Sequence, residues 1–510
     1  MLTSKNLRKY VHKSSAVTFL LCFLIAVCFS IAVSAYWYHK VFGQTGIDSI
    51  IFTLTAGVGS ASPDLIRSYL KHFAVGLFLA IFVCIFLFFN PKKPLFFGNI
   101  KLYPLSSKLS CFLAVIGSLL LLVYSILIID LIPYTYNQLF PAKLYEDEYM
   151  DPASVRITFP EKKRNLVYIM LESMETTYLP QELGGGSEVN LIPELYDLAQ
   201  ENINFSHNDG VGGFHATSGA SWTIGAIVAQ TAGIPLKTPA GLVDWQNGYG
   251  KDGVFLPGVT SITSILDEAG YRTAFMCGSD ANFGGRKTYY DTHGTDRIYD
   301  IYTARKDGIV PDDYFVWWGM EDKHLFEYAK GELTELGRSD EPFAFTMLTV
   351  DTHHIGGYQC TYCTDEFEET YEQSISCSSR QVLEFVNWLK EQPFYENTTV
   401  VITGDHLSMD KGYFDRNVDP AYQRMVYNCI LNSAIDAGNT KNREYAAVDL
   451  FPTTLAALGC TIEGDRLGLG VNLFSKHPTL SELWGYHRFN SELSKASDYY
   501  STHFYTAPDA

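Results

Sequence analysis

From residue 165 to residue 431 the chain keeps returning to one pattern: a short run of apolar residues, without polar alternation, that stops at a polar loop. Runs that are apolar on both faces predict buried, mostly parallel strands, here Leu166–Met170, Thr273–Cys277, Phe343–Val350, Thr399–Thr403 and Val426–Leu431. Helical periodicity falls between them, over Ile192–Asn202, Ile262–Ala269, Ser378–Glu391 and Tyr445–Leu458. Strands alternating with helices over some 350 residues predict one large α/β domain, residues 161–510.

The front of the chain follows a different rule. Residues 16–36, 73–89 and 111–132 are apolar runs long enough to cross a bilayer. Lys5, Arg8, Lys9 and Lys13 precede the first, Lys92 and Lys93 follow the second, and Lys101 and Lys108 precede the third. Basic flanks favour the cytoplasmic side, so the N-terminus and the Pro91–Leu109 loop are expected inside and everything after about residue 135 outside. Residues 1–135 then form a three-helix membrane anchor in the cell (inner) membrane, and 136–160 a linker rising from it. Ile50–Ala56 is apolar but too short to span, and it is expected at the interface or beneath the large domain.

Two strand ends carry chemistry. The run Asn165–Leu171 stops at Glu172, and the run ending at Thr403 is followed by Gly404, Asp405 and His406. In open α/β sheets ligands collect at the C-terminal edge of the strands. One imidazole with two carboxylates suits Mn²⁺, Mg²⁺ or Zn²⁺ engaged in phosphoryl or sulfuryl transfer. The bland alternatives are a helix-capping Glu and a fortuitous Asp–His pair. Between these ends, Gly210–Pro235 places Thr217, Ser218 and Ser221 ahead of a helical pattern, where free backbone N–H groups favour a phosphate. A hydroxyl there is equally explained as an N-cap, and as a nucleophile it requires activation.

Charge and cysteines refine this picture. With 56 acidic against 38 basic residues and a net charge of −18, a nucleic-acid partner is excluded, and a phosphate ligand must be held by local cations or a metal. Of ten cysteines, Cys22, Cys28, Cys84 and Cys111 lie in or beside the spans. Cys360, Cys363 and Cys377 cluster in the outer domain, where an oxidising compartment favours a disulfide between two of them; a zinc site would need a fourth ligand, for which His353 or His354 stand nearby in sequence.

Leu171–Ser173, the segment ending WTIGAIVAQTAGIPL, Leu348–His354, the GDHLSM segment, DLFPTTLAALG and RLGLGVNLF together resemble the phosphoglycerol transferase and lipoteichoic acid synthase family, membrane-anchored members of the alkaline phosphatase and sulfatase superfamily. The resemblance covers residues 165–475 and the few-span anchor. It implies an extracytoplasmic sulfatase-like domain with a mostly parallel central sheet flanked by helices. It implies metal binding by Glu172, Asp405, His406 and a catalytic threonine, for which Thr217 is the choice, with Ser218 and Ser221 as alternatives because the family position nearer WTIG is Ala220. His353 matches the family histidine at the phosphate or leaving group, with His354 beside it, and Phe283 and Arg286 resemble the pair that frames the glycerophosphate. The implied reaction moves glycerophosphate from phosphatidylglycerol to a glycan or polyglycerophosphate acceptor through a phospho-threonine, with Mn²⁺ as the expected metal. A phosphoethanolamine transferase and a non-catalytic sulfatase-like membrane protein are the competing readings. No formylglycine motif of a sulfatase is present.

Overall fold

The computed structural model describes residues 16–43, 63–88, 95–97, 100–102, 106–237 and 253–507, with Ile47 and Ile51 besides. The expected interfacial stretch Ile50–Ala56 therefore lies outside the described residues apart from Ile51.

Three helices form the first unit: α1 (Ala16–Phe42), α2 (Pro63–Phe88) and α3 (Ser107–Ile128). The shortest has 22 residues, about 33 Å at 1.5 Å per residue, enough for a ~30 Å hydrocarbon layer. Leu21, Ile25, Ala80, Leu87 and Ala114 bury against one another, while Phe19, Phe78, Phe82, Phe112 and Leu120 are exposed. A bundle with small and aliphatic contacts inside and large apolar side chains outside suits lipid, and with three such helices the chain is a membrane protein. The second span begins well before residue 73: Arg67, Lys71 and His72 hide its first turns from a hydropathy reading, yet they continue the same helix.

The second unit is built on a seven-stranded sheet. Its strands are β1 (Asn165–Leu171), β2 (Gly213–Phe214), β3 (Arg272–Cys277), β4 (Arg297–Tyr299), β5 (Phe343–Leu348), β6 (Thr398–Gly404) and β7 (Val426–Leu431). Their order across the sheet is β2-β7-β6-β1-β5-β3-β4. The five strands from β6 to β4 are parallel; at the other edge β7 pairs antiparallel with β6, and β2 antiparallel with β7, so that β7 alone opposes the rest. All five expected strands are present. The two missed, β2 and β4, are edge strands of two and three residues, too short to show a pattern.

Successive side chains of a strand face opposite ways, and β1 feeds two cores. Leu166, Tyr168 and Met170 join one with Phe275, Val401 and Phe451; Val167, Ile169 and Leu171 join the other with Phe345, Ile402 and Phe385. The helices that cover these faces include α4 (Pro193–Glu201), α5 (Thr223–Ala232), α6 (Ile262–Glu268), α7 (Arg286–Thr292), α8 (Asp322–Leu336), α9 (Thr370–Lys390) and α10 (Leu450–Ala457). Helix α9 starts eight positions before the expected Ser378, because Ser374, Ser376, Ser378 and Ser379 are all buried and break the apolar signature.

The stretch read as a linker is packed into this unit. Tyr145 is buried edge-on against Tyr500 and Phe504, and Ile157–Thr158 pairs antiparallel with Thr461–Ile462. Aromatic burial thus fixes residues that their prolines and acids make look loose.

Candidate active site

Two neighbouring strands end level with each other, since Leu171 is in register with Gly404. Gly404 is required here: a Cβ would lie 1.9 Å from the Met174 carbonyl oxygen and 2.6 Å from Val426 Cγ1. The chain leaving β1 turns at Ser173, whose φ of 53° is left-handed, and the Asp405 amide donates to the Leu171 carbonyl at 3.0 Å. Asp405 Oδ1 accepts from the amides of Ser173 (2.8 Å) and His406 (2.7 Å). These bonds lock both turns and aim Glu172, Asp405 and His406 at one point.

The three side chains meet with one donor atom each within 4.8 Å of the others, all buried. His406 Nε2 stands 3.3 Å from Asp405 Oδ2 and 3.7 Å from Glu172 Oε1. Yet Asp405 Oδ2 and His406 Nε2 have no hydrogen-bond partner, although buried polar atoms are nearly always bonded. Such spacings match the ~3.4 Å edge of a tetrahedral site with ~2.1 Å bonds to oxygen and nitrogen. The donor set therefore fits a divalent metal, and the orphaned atoms are the ones it would use.

Electrostatics agree. Burial and the Glu172 charge push the Asp405 carboxyl up to about 7. Burial would raise Glu172 as well, but His353, His406, the Ser173 hydroxyl and Arg286 hold it below the usual carboxylate range. Burial would lower His406, and Asp405 and Glu172 outweigh it and raise it. Two buried carboxylates facing one imidazole form a negative pocket suited to a cation.

Helix α5 brings a hydroxyl to this pocket. Its first residue, Thr223, donates from Oγ1 to Glu172 Oε2 at 3.4 Å. Seven positions on, and so on the same face, Gln230 is buried and donates to the carbonyls of Gly404 (3.0 Å) and Asp405 (3.1 Å), while accepting from Tyr168 and Thr403. Gln230 thus docks α5 so that its N-terminus, the positive end of the helix dipole, lies at the strand ends. The turn before it holds the expected hydroxyls. Thr217 Oγ1 is buried without a partner and makes no hydrogen bond to the trio. Ser218 is tied through its amide to Asn490 Oδ1 at 2.7 Å, and Ser221 is half-buried on the same turn. Thr223 was not singled out from sequence, although standing first in the WTIG helix was a readable sign.

On the other side, Thr349 at the end of β5 accepts from the Glu172 amide at 2.9 Å, and Thr352 donates to the Glu172 carbonyl. The following His353 and His354 stack at 4.4 Å, and Trp318 lies 4.6 Å from His353 and 5.7 Å from Phe283. Burial lowers both histidines, and the Glu172 charge partly offsets this for His353. Trp318, unforeseen, presents a buried Nε1 without a partner. Arg286 is buried, donating to Ser279 Oγ (3.0 Å) and to the carbonyls of Phe283 (3.0 Å) and Asp280 (2.7 Å). Much of its fork is spent on its own loop, which fixes the guanidinium in place.

Cys360, Cys363 and Cys377 are all free thiols, so the expected disulfide is absent, and neither His353 nor His354 belongs to their cluster.

The family model described as Sulfatase matches residues 164–460. A phosphoglycerol transferase I of Xanthomonas campestris pv. campestris (strain B100) is 33% identical over 261 residues, 50% of this chain and 35% of the relative. That of Escherichia fergusonii is 33% identical over 269 residues, 51% of this chain and 33% of the relative. The matched stretch thus spans about a third of the length of these curated relatives. Among solved structures, lipoteichoic acid synthase LtaP from Listeria monocytogenes aligns with a TM-score of 0.48 at 19% identity, covering 66% of this chain and 82% of its own.

Proposed function

The chain belongs to the sulfatase family, and on that premise we propose that it is a membrane-bound, metal-dependent phosphoglycerol transferase with its catalytic domain outside the cytoplasm. The observation that carries the chemistry is the hydroxyl of Thr223, at the N-terminus of α5, set against Glu172 beside the orphaned Asp405 and His406 atoms. The phosphatidylglycerol donor and the glycan or polyglycerophosphate acceptor rest on the phosphoglycerol transferase relatives, on the motifs of this chain and on an anchor that suits a lipid donor.

Glu172, Asp405 and His406 hold the divalent ion, with Mn²⁺ the first choice and Mg²⁺ or Zn²⁺ alternatives. Bound there, it supplies positive charge to a phosphoryl group and acidity to a neighbouring hydroxyl. Thr223 Oγ attacks the lipid phosphorus in line as the bond to the diacylglycerol oxygen breaks. The Thr223 hydroxyl proton passes by way of Glu172 Oε2, its hydrogen-bond acceptor, to His353, which delivers it to the departing diacylglycerol oxygen. An acceptor hydroxyl then attacks the phospho-threonine, and its proton returns through His353 as Thr223 is released. The N–H groups of α5, Arg286 and Trp318 Nε1 face the phosphoryl oxygens, with Phe283 and His354 framing the head group. Thr217, with its buried unpartnered hydroxyl, is the second nucleophile to weigh, and Ser218 and Ser221 follow it.

The test is release of diacylglycerol from fluorescent phosphatidylglycerol by the full-length protein with Mn²⁺, and mass spectrometry of the trapped adduct. Loss in Thr223→Ala and Glu172→Ala, with the adduct on Thr223, supports the reading. An adduct on Thr217, lost in Thr217→Ala, moves the nucleophile and keeps the enzyme. Turnover of phosphatidylethanolamine alone moves the protein to the phosphoethanolamine class, and silence with both lipids overturns the assignment as a transferase.

A further inference from the structure

A second group of metal-ligating side chains lies outside the strand-end trio. Cys360 and Cys363 sit on the loop between β5 and α9, and Cys377 lies within α9. Cys360 Sγ is 3.7 Å from Cys377 Sγ and 3.8 Å from Cys363 Sγ, and all three sulfurs fall within 4.8 Å of one another. A disulfide would bring two of them to ~2.05 Å. Sulfurs bound to a tetrahedral ion at ~2.3 Å stand ~3.8 Å apart, which is the spacing of the two pairs centred on Cys360.

Three further observations point to a cation. The Cys-x₂-Cys spacing of Cys360 and Cys363 is that of the first ligand pair in many zinc sites, and Cys377 adds a third sulfur from a rigid helix. Polar groups already point at the sulfurs: the Tyr362 amide donates to Cys360 Sγ at 3.3 Å, and Gln381 Nε2 to Cys377 Sγ at 3.4 Å. Gln381, only 5% exposed, has a buried Oε1 with no partner.

We propose that Cys360, Cys363 and Cys377 bind a soft divalent cation, zinc foremost, as three thiolates, with solvent as fourth ligand on the side of half-buried Cys363. Binding displaces the three thiol protons. The ion fastens to α9 the loop that carries His353 and His354 just upstream, and its role is structural. The site is separate from the transferase reading and stands whether or not that reading holds.

The experiment uses the full-length Glu172→Ala protein in detergent, which removes the strand-end site from the count. Zinc is measured per chain, thiols are titrated after denaturation and chelation, and Co²⁺ is exchanged in while near-ultraviolet sulfur-to-cobalt charge transfer is followed. The expected result is one zinc per chain, all ten cysteines titrating as thiols, and a charge-transfer band. Cys377→Ser and Cys363→Ser should each weaken zinc binding more than tenfold; Cys363→Ser, on the exposed side, remains informative if Cys377→Ser fails to fold. A disulfide within the cluster, Co²⁺ bound without the band, or a reduced chain that takes up no zinc would each overturn the site.

Discussion

Glu172 and Glu175 leave the same strand three residues apart, both buried and both acidic, and the fold treats them oppositely. Glu175 is answered from within: Arg424 donates from Nε at 2.8 Å, the Ser408 amide at 2.9 Å and the Thr177 hydroxyl at 2.5 Å. Glu172 meets two hydroxyls, Ser173 at 2.7 Å and Thr223 at 3.4 Å, and faces Asp405 and His406 atoms that bond to nothing. A buried charge that the protein neutralises itself is part of the architecture. One left facing orphaned donors is waiting for a ligand, which is how the two can be told apart without any motif.

The largest effect expected from breaking this contrast is on turnover. Glu172→Gln keeps the shape and removes the charge, and lipid turnover should fall by ~10³-fold or more, as when a group acting at the transition state is lost. Its thermal midpoint should fall only modestly, because His353, His406, the Ser173 hydroxyl and Arg286 favour the charge without a close two-point ion pair such as Arg424 gives Glu175. Glu175→Gln should do the reverse. It strands the Arg424 guanidinium, which lies over the Phe414 ring, and should cost ~3–5 kcal/mol of stability, read by thermal or denaturant unfolding. Activity per folded molecule should be retained. A Glu175→Gln protein that folds normally but is inactive would erase the distinction.

How much of this was visible in the sequence depends on which side of the contrast one asks about. Glu172, Asp405 and His406 were legible because apolar strands on both faces stop abruptly, and the edge where they stop is dictated by parallel pairing. Thr223 was not legible, because its place depends on Gln230 docking α5 from about two turns further along, a contact between residues 170 positions and more apart. Trp318 reaches His353 by the same kind of long-range packing, from a loop with no periodicity. Helix α8 carries enough charge along Asp322–Leu336 to mask its apolar stripe. Burial of polar residues, in short, defeats patterns that assume polar means outside.

A third buried acid sharpens the comparison. Asp449 accepts from the amides of Ala446 (2.9 Å) and Val471 (2.8 Å) but has no ion pair, and burial pushes it up to about 7. The folded state therefore holds this proton more tightly than the unfolded chain. Its contribution is fully present below the ordinary carboxyl range near pH 4, is lost as pH rises to about 7, and is flat above. Asp449→Asn should remove on the order of 2–4 kcal/mol of that pH dependence, seen as a smaller drop in thermal midpoint between pH 5 and pH 8. An unchanged slope would mean that the backbone amides alone suffice to neutralise a buried carboxylate. A metal should act on Glu172 as Arg424 acts on Glu175. At a hundred times its dissociation constant, Mn²⁺ should stabilise the wild-type protein by ~2.7 kcal/mol and Asp405→Asn far less, measured by the same melts.

The smallest effect should come from a pair with the chemistry of Arg424–Glu175 but none of its burial. Arg416 donates to Glu369 from Nη2 at 2.7 Å, as short as many buried ion pairs, yet its side chain is 59% exposed. In water both groups are solvated before they meet, and holding two long side chains together offsets much of the attraction. Arg416→Gln should therefore change stability by less than ~1 kcal/mol, and the change should shrink further in high salt. The Glu175→Gln loss should largely persist in that salt, because the Glu175 carboxylate is fully buried and ions screen a pair so placed far less. If both pairs weakened alike with salt, burial would not be what separates the architectural acid from the reactive one, and Glu172 would need another explanation.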